Sequence, residues 1–152
     1  MKAVLQRVSQ ASVTIEGQTT AHIASGLLVL LGIDQRDTQA TAALLAHKVA
    51  HLRLFEDGEG KMNFSALEAN KALLVISQFT LCANLQKGRR PSFAQACPPA
   101  LAKPLYAHFC TQLRQHGLVV AEGVFQANMQ VQLVNEGPVT FCLDSALWQP
   151  PP

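Results

Sequence analysis

The eight residues Gly26-Leu27-Leu28-Val29-Leu30-Leu31-Gly32-Ile33 carry no polar side chain. Successive side chains of a strand point to opposite faces, so a run without alternation predicts a strand buried on both sides, beneath helices, another sheet or a second subunit. The chain must therefore fold around this segment as a central strand. Its 152 residues suit one domain that buries roughly two-thirds of its unfolded surface, and no second domain need be sought.

Partners for that strand lie on either side of it. Residues 3–8 and 11–15 alternate in part with period two, and Glu16-Gly17 turns the second run back into residues 19–23, giving an antiparallel meander. Asp37 or Thr38 can cap a helix whose apolar stripe is Ala42, Leu45, Val49 and Leu52, before a turn at Asp57-Gly58. Leu73-Leu74-Val75-Ile76 reads as a second buried strand running into Ser77-Gln78-Phe79-Thr80-Leu81. The loop Gln86-Lys87-Gly88-Arg89-Arg90-Pro91-Ser92-Phe93 is too rich in glycine, proline and cations for a core element. A second helix follows, with Leu101, Leu105, Phe109 and Leu113 on one face and Gly117 at its end, while Pro104 marks a late start or a kink. Strands over residues 119–125, 129–134 and 139–143 complete the sheet. This order predicts a single-domain α+β fold, a mainly antiparallel sheet or partly closed β-barrel with two helices on one face. Residues 1–145 form the domain and 146–152 a proline-ended tail.

Charged residues make up 14% of the chain, against about 25% in an ordinary soluble domain. So little charge to cover a monomer's exterior points to a subunit interface. A net charge of +2 is too small to announce nucleic-acid binding, though a local basic patch could meet a polyanion. Cys82, Cys97, Cys110 and Cys142 stand apart with no C-x-x-C spacing, which excludes a zinc knuckle and suits reduced thiols. No apolar run approaches the roughly 20 residues that span a bilayer, and the chain enters a strand pattern at once, so a cytoplasmic protein with no membrane contact is expected.

Ser77, Gln78, Phe79 and Thr80 emerge where a buried strand ends. They offer hydroxyls, an amide and successive backbone N–H groups, the parts needed to bind a carbonyl and stabilise the oxyanion formed from it; a purely structural strand end is the plain alternative. There is no G-x-S-x-G elbow and no histidine near Ser77, Thr80 or Cys82 in sequence, which disfavours a Ser-His-Asp hydrolase. His47 and His51 share a helix face but lack an intervening H-E-x-x-H glutamate and a third ligand, so they read as solvated, and no metal or cofactor is expected. Lys87, Arg89 and Arg90 crowd one loop beside the strand end, as a phosphate contact or as a solvated loop. In Asn135-Glu136-Gly137-Pro138-Val139-Thr140 a Gly-Pro pair stands between two strand-like runs. Proline brings no ladder N–H and glycine no side chain, so the pair makes a rigid corner with bare carbonyls, or an ordinary turn.

Three segments together resemble the D-aminoacyl-tRNA deacylases: Gln6-Arg7-Val8 with Ala11-Ser12-Val13, Ser77-Gln78-Phe79-Thr80-Leu81 with Gly88-Arg89-Arg90-Pro91-Ser92-Phe93, and Met129-Gln130-Val131 with Asn135-Glu136-Gly137-Pro138-Val139-Thr140. The resemblance runs from residue 1 to about residue 143. It implies a homodimeric enzyme that cleaves the ester joining a D-amino acid, and glycine as a further substrate, to the terminal adenosine of tRNA. It implies too that Gly137-Pro138 is cis and reaches from one subunit into the other's site to reject L-amino acids, while Ser77, Gln78, Phe79 and Thr80 supply the carbonyl-binding side. Arg7, Phe125 and Met129 match positions near the pocket. Either the substrate's 2′-hydroxyl or Thr80 as a nucleophile then drives the reaction. Glu136 departs from the aspartate expected there, and Pro98-Pro99 and Pro104 are unusual around the second helix. A non-catalytic RNA-binding module and an esterase for other acyl esters are the competing classes.

Overall fold

The computed structural model describes residues 1–86 and 88–148. In chain order the strands and helices are β1 (Lys2–Ile15), β2 (Gln18–Ile23), β3 (Gly26–Gly32), α1 (Gln39–His51), β4 (Arg53–Glu56), β5 (Met62–Ser65), β6 (Ala72–Ser77), α2 (Pro99–Gln115), β7 (Val120–Glu122) and β8 (Gln130–Asp144).

β1 organises the sheet. β8 runs antiparallel along one of its edges, while β2 and β3 follow each other along the opposite edge, with Ala11 facing Ile23 and Val8 facing Gly26. β6 then pairs parallel to β3, and β7 parallel to β6. The sheet curls until β2 stands beside β6 and β7, giving a nearly closed barrel. β4 and β5 form a separate hairpin.

β3 is the central strand that its composition demands. Leu27, Val29 and Leu31 point into a core shared with both helices, and Leu28 into a second core inside the curl. β6 divides in the same way, Leu73 and Val75 to the helices and Leu74 and Ile76 to the interior. Full burial of each such side chain is worth about 1.5–3 kcal/mol relative to exposure, so this strand pair is the best-held part of the molecule.

Thr38, not Asp37, caps α1. Its hydroxyl accepts from the Thr41 N–H at 3.2 Å, and the Thr41 hydroxyl accepts from the Thr38 N–H at 3.3 Å. Asp37 instead accepts from the Asp34 N–H at 2.7 Å. α2 begins at Pro99, so Pro104 lies inside the helix and does not mark a late start. Its buried face is Ala102, Tyr106, Phe109, Cys110 and Leu113, whereas Leu101, expected on that face, is 63% exposed. Leu101 lies about 100° around the helix from Ala102, enough to carry it off the stripe. Gly117, at φ +95°, ends the helix as expected.

Three strand expectations change. The buried strand stops at Ser77 and the next residues wind into a 3-10 turn, Phe79–Cys82. β7 covers three residues, not seven. Residues 129–134 and 139–143 belong to one strand, β8, which carries the Gly-Pro pair within it.

Candidate active site

The end of β6 is fixed from both sides. Ser77 pairs with Leu31 of β3, the Gln78 N–H donates to the Leu31 carbonyl at 2.7 Å, and the chain then leaves the ladder. Gly32 permits this: a Cβ there would sit 2.8 Å from the Leu81 Cβ and 3.0 Å from the Gln78 carbonyl oxygen. The Gln78 side-chain amide donates to the Thr80 hydroxyl, and the Leu81 N–H donates to the Gln78 carbonyl. That leaves the N–H groups of Phe79 and Thr80 without an acceptor among the described residues, as expected at the start of a helical turn.

Beside this turn lies a cleft of about 650 Å3. Ser77, Gln78 and Phe79 line one side, and Phe125 and Met129 with the residues between them line another. Phe93 and Cys97 lie along the lining as well. Phe79 is 57% exposed and meets Phe93 edge to face with ring centroids 5.0 Å apart. Burial, with the Asp37 and Asp34 carboxylates, pushes the Cys97 thiol up, so it stays protonated at neutral pH and is no ready nucleophile. Among the described residues no histidine lines the cleft. Its polar lining is therefore the Ser77 hydroxyl and the side-chain amides of Gln78, Gln126 and Asn128, beside apolar walls.

The cationic loop is clamped at its base. Asn84 and Ser92 exchange both backbone hydrogen bonds, at 2.8 and 3.1 Å, so the loop leaves the 3-10 turn and returns to it. Arg89 and Arg90 are exposed on this loop, and Lys87 lies outside the described residues.

The Gly-Pro corner forms a second constellation. Gln6 faces Thr140 and Val8 faces Asn135, so residues 136–139 of β8 stand opposite the single residue Arg7. This is an enlarged β-bulge. The Gly137–Pro138 peptide bond is cis, and both residues are exposed. Two side chains close the gap. Asn135 Nδ2 donates to the Arg7 carbonyl at 2.8 Å and the Val139 carbonyl at 3.3 Å. Arg7, only 5% exposed, donates from Nε to the Glu136 carbonyl at 3.3 Å, from Nη1 to the Leu54 carbonyl at 3.0 Å and from Nη2 to the Glu56 carboxylate at 2.8 Å. The guanidinium thus ties the bulge to β4.

Ser77, Gln78, Phe79, Phe125 and Met129 come together at one cleft, with Thr80 bonded to Gln78 at its edge. Arg7, Gly137 and Pro138 come together elsewhere, and none of the three lines that cleft. Sequence reasoning passed over Gly32 and Asn135, which hold the two constellations in shape. A glycine at the end of an otherwise large-residue strand is the one signal that could have exposed Gly32.

The profile of the family described as D-Tyr-tRNA(Tyr) deacylase matches residues 4–144. The chain is 56% identical over 146 residues to the D-aminoacyl-tRNA deacylase of Thermomicrobium roseum, across 96% of this chain and 95% of that one. To the D-aminoacyl-tRNA deacylase of Geobacter sulfurreducens it is 54% identical over 145 residues, 95% of each chain. The solved structure of a c-Myc DNA Unwinding Element Binding Protein superposes with a TM-score of 0.89 at 42% identity, covering 95% of this chain and 98% of that one. A probable eukaryotic D-amino acid tRNA deacylase shares the fold at a TM-score of 0.80 and 18% identity, over 93% and 97% of the two chains. With its profile matched almost end to end, this chain belongs to the D-Tyr-tRNA(Tyr) deacylase family.

Proposed function

We propose that the protein is a D-aminoacyl-tRNA deacylase, an ester hydrolase that releases D-amino acids, and glycine, from the terminal adenosine of tRNA. The observation that carries this reading is the cleft at the end of β6, where Ser77 and Gln78 stand beside the open N–H groups of Phe79 and Thr80. An ester carbonyl directed at those donors gains negative charge on its oxygen as the tetrahedral species forms. Preorganised N–H groups stabilise that charge without reorganising. Phe125 and Met129 supply apolar surface for the terminal adenosine and exclude water from the far side of the ester. Arg89 and Arg90, with Lys87, meet the phosphates of the acceptor end and position it without reading sequence. Such a substrate places the protein in the cytoplasm.

Rejection of L-amino acids falls to Gly137 and Pro138. Once ammonium group and ester are fixed, D and L residues differ only in where the side chain points, so a rigid wall on the L side excludes it by clash. A backbone corner supplies the wall while its carbonyls accept from the ammonium, and with no pocket shaped to one side chain it admits many D residues. On this reading, which follows the family resemblance, the corner serves the cleft of a second copy in a homodimer, in keeping with its not lining its own chain's cleft. The outer edge of β8, unpaired among the described residues and bearing exposed Val134 and Phe141, supports that assembly.

The test is release of amino acid from matched D- and L-tyrosyl-tRNA, with chelator present. Cleavage of the D ester alone is expected. Cleavage of both overturns the selective wall, and cleavage of neither overturns the deacylase reading. Sedimentation at micromolar concentration is expected to show a dimer, and a monomer would remove the cross-subunit corner. For the chemistry, Thr80→Ala is expected to keep at least a tenth of the activity, with the substrate's 2′-hydroxyl assisting. Its complete loss with binding intact would make Thr80 the nucleophile.

A further inference from the structure

His47 and His51 stand four residues apart in the last turns of α1, so their rings share one helix face, with centroids 4.2 Å apart. A third ring, absent from any local motif, completes the group. His116, the residue that caps α2, lies 5.3 Å from His47 and 5.2 Å from His51, centroid to centroid. One ligating nitrogen from each ring falls within 4.8 Å of the other two. We infer that His47, His51 and His116 form a three-imidazole site for a divalent first-row transition ion, Zn2+ being the ion that best suits it.

Three features point to ligation over ring stacking alone. Tetrahedral Zn2+ holds imidazole nitrogens at about 2.0–2.1 Å and therefore about 3.3 Å from one another. Closing from a ceiling of 4.8 Å to that spacing takes small side-chain rotations, which exposed His47 and His51 are free to make. One nitrogen of His51 is already engaged: Nδ1 lies 2.8 Å from the His47 carbonyl oxygen and donates to it, which leaves Nε2 as the nitrogen to face an ion. A backbone carbonyl on the non-ligating nitrogen is the usual support for a metal-bound histidine. Finally, the rings project from two packed helices, so the frame exists before the ion arrives, and exposure leaves the fourth position to water.

The site is separate from the candidate active site. Pro99 and Ala102, at the start of α2, line the cleft, while His116 caps the opposite end, roughly 25 Å along the helix axis. An ion here would tie the end of α1 to the end of α2 and act on stability, not on ester cleavage.

The experiment is calorimetric titration of the untagged, full-length, metal-free protein with Zn2+, alongside His116→Ala and His51→Ala variants checked for native circular dichroism. Cys142 is exposed and His22 and His108 lie elsewhere, so the variants separate this cluster from other donors. One Zn2+ per chain is expected, with affinity at least 100-fold weaker in either variant, and with Zn2+ raising Tm only in the parent. Absence of saturable binding overturns the proposal, as does equal affinity in parent and both variants. Should a variant fail to fold, His47→Gln in the exposed position gives the same reading, and unchanged affinity there would be equally fatal.

Discussion

The turn at residues 77–80 and the bulge at residues 136–139 both depart from the regular sheet, and different forces hold them. The turn extends a strand buried on both faces, and its shape follows from apolar packing plus the missing side chain of Gly32. The bulge lies on a stretch of β8 that is exposed except at Val139, and it depends chiefly on hydrogen bonds from two side chains, Arg7 and Asn135. Packing spreads its contribution over many contacts, so one lost methylene is shared by its neighbours. A polar clasp concentrates it, so one lost donor leaves a carbonyl unpaired. Deleting buried atoms should thus affect the turn gradually, whereas adding atoms to it, or removing a donor from the bulge, should act abruptly.

Gly32→Ala tests that contrast most severely. Its methyl would displace the backbone of residues 78–81, and kcat/KM for D-tyrosyl-tRNA is expected to fall by about 100-fold, the usual consequence of misplacing reacting groups by an ångström. Activity near that of the parent would show that the turn is not held by close approach. Arg7→Met comes next, with an expected stability loss of about 2 kcal/mol in urea denaturation, because the Leu54 and Glu136 carbonyls lose their donor. If the bulge sets chirality, the variant also loses D-over-L selectivity faster than activity on the D ester. Asn135→Ala should cost about 1 kcal/mol and blunt selectivity in the same direction, since the Arg7 and Val139 carbonyls share one amide. Smallest of all is Glu136→Gln. The Glu136 carboxylate sits 3.8 Å from Arg7 Nε and is half exposed, so the change should stay within about 0.5 kcal/mol. A larger loss would assign the clasp to the Glu136 side chain instead of its carbonyl.

Legibility in the sequence follows the same division. β3 and β6 could be read as doubly buried because their composition alone requires it, and the stripe of α1 because its large residues repeat at helical steps. On α2 Phe109 and Leu113 are buried as expected and only Leu101 misled: Ala102 and Tyr106, one small and one polar-tipped, complete the buried face, with the Tyr106 hydroxyl donating to the Val75 carbonyl at 2.9 Å. β4 and β5, four residues each, are too short to show a period. At the cleft, Ser77 to Thr80 were legible as a strand end, but which N–H groups stay open depends on where the ladder stops. The bulge was not legible as one, since proline reads as a strand break until a partner strand shows residues 136–139 gathered opposite Arg7. His116 escaped for a related reason, because two helix ends far apart in sequence meet only in the fold.

The double flanking of β1 also sets an order of opening. Residues 2–6 lie between β3 and β8 and residues 11–14 between β2 and β8, so these amides can meet solvent only when the neighbouring strands separate as well. In hydrogen exchange they are expected to fall in the slowest class, released only by global unfolding. Ser9 and Gln10, exposed where β1 passes from β3 to β2, interrupt that protection beside the bulge. The corner at Gly137, opposite Arg7, therefore lies close to an exposed, less flanked stretch inside β1.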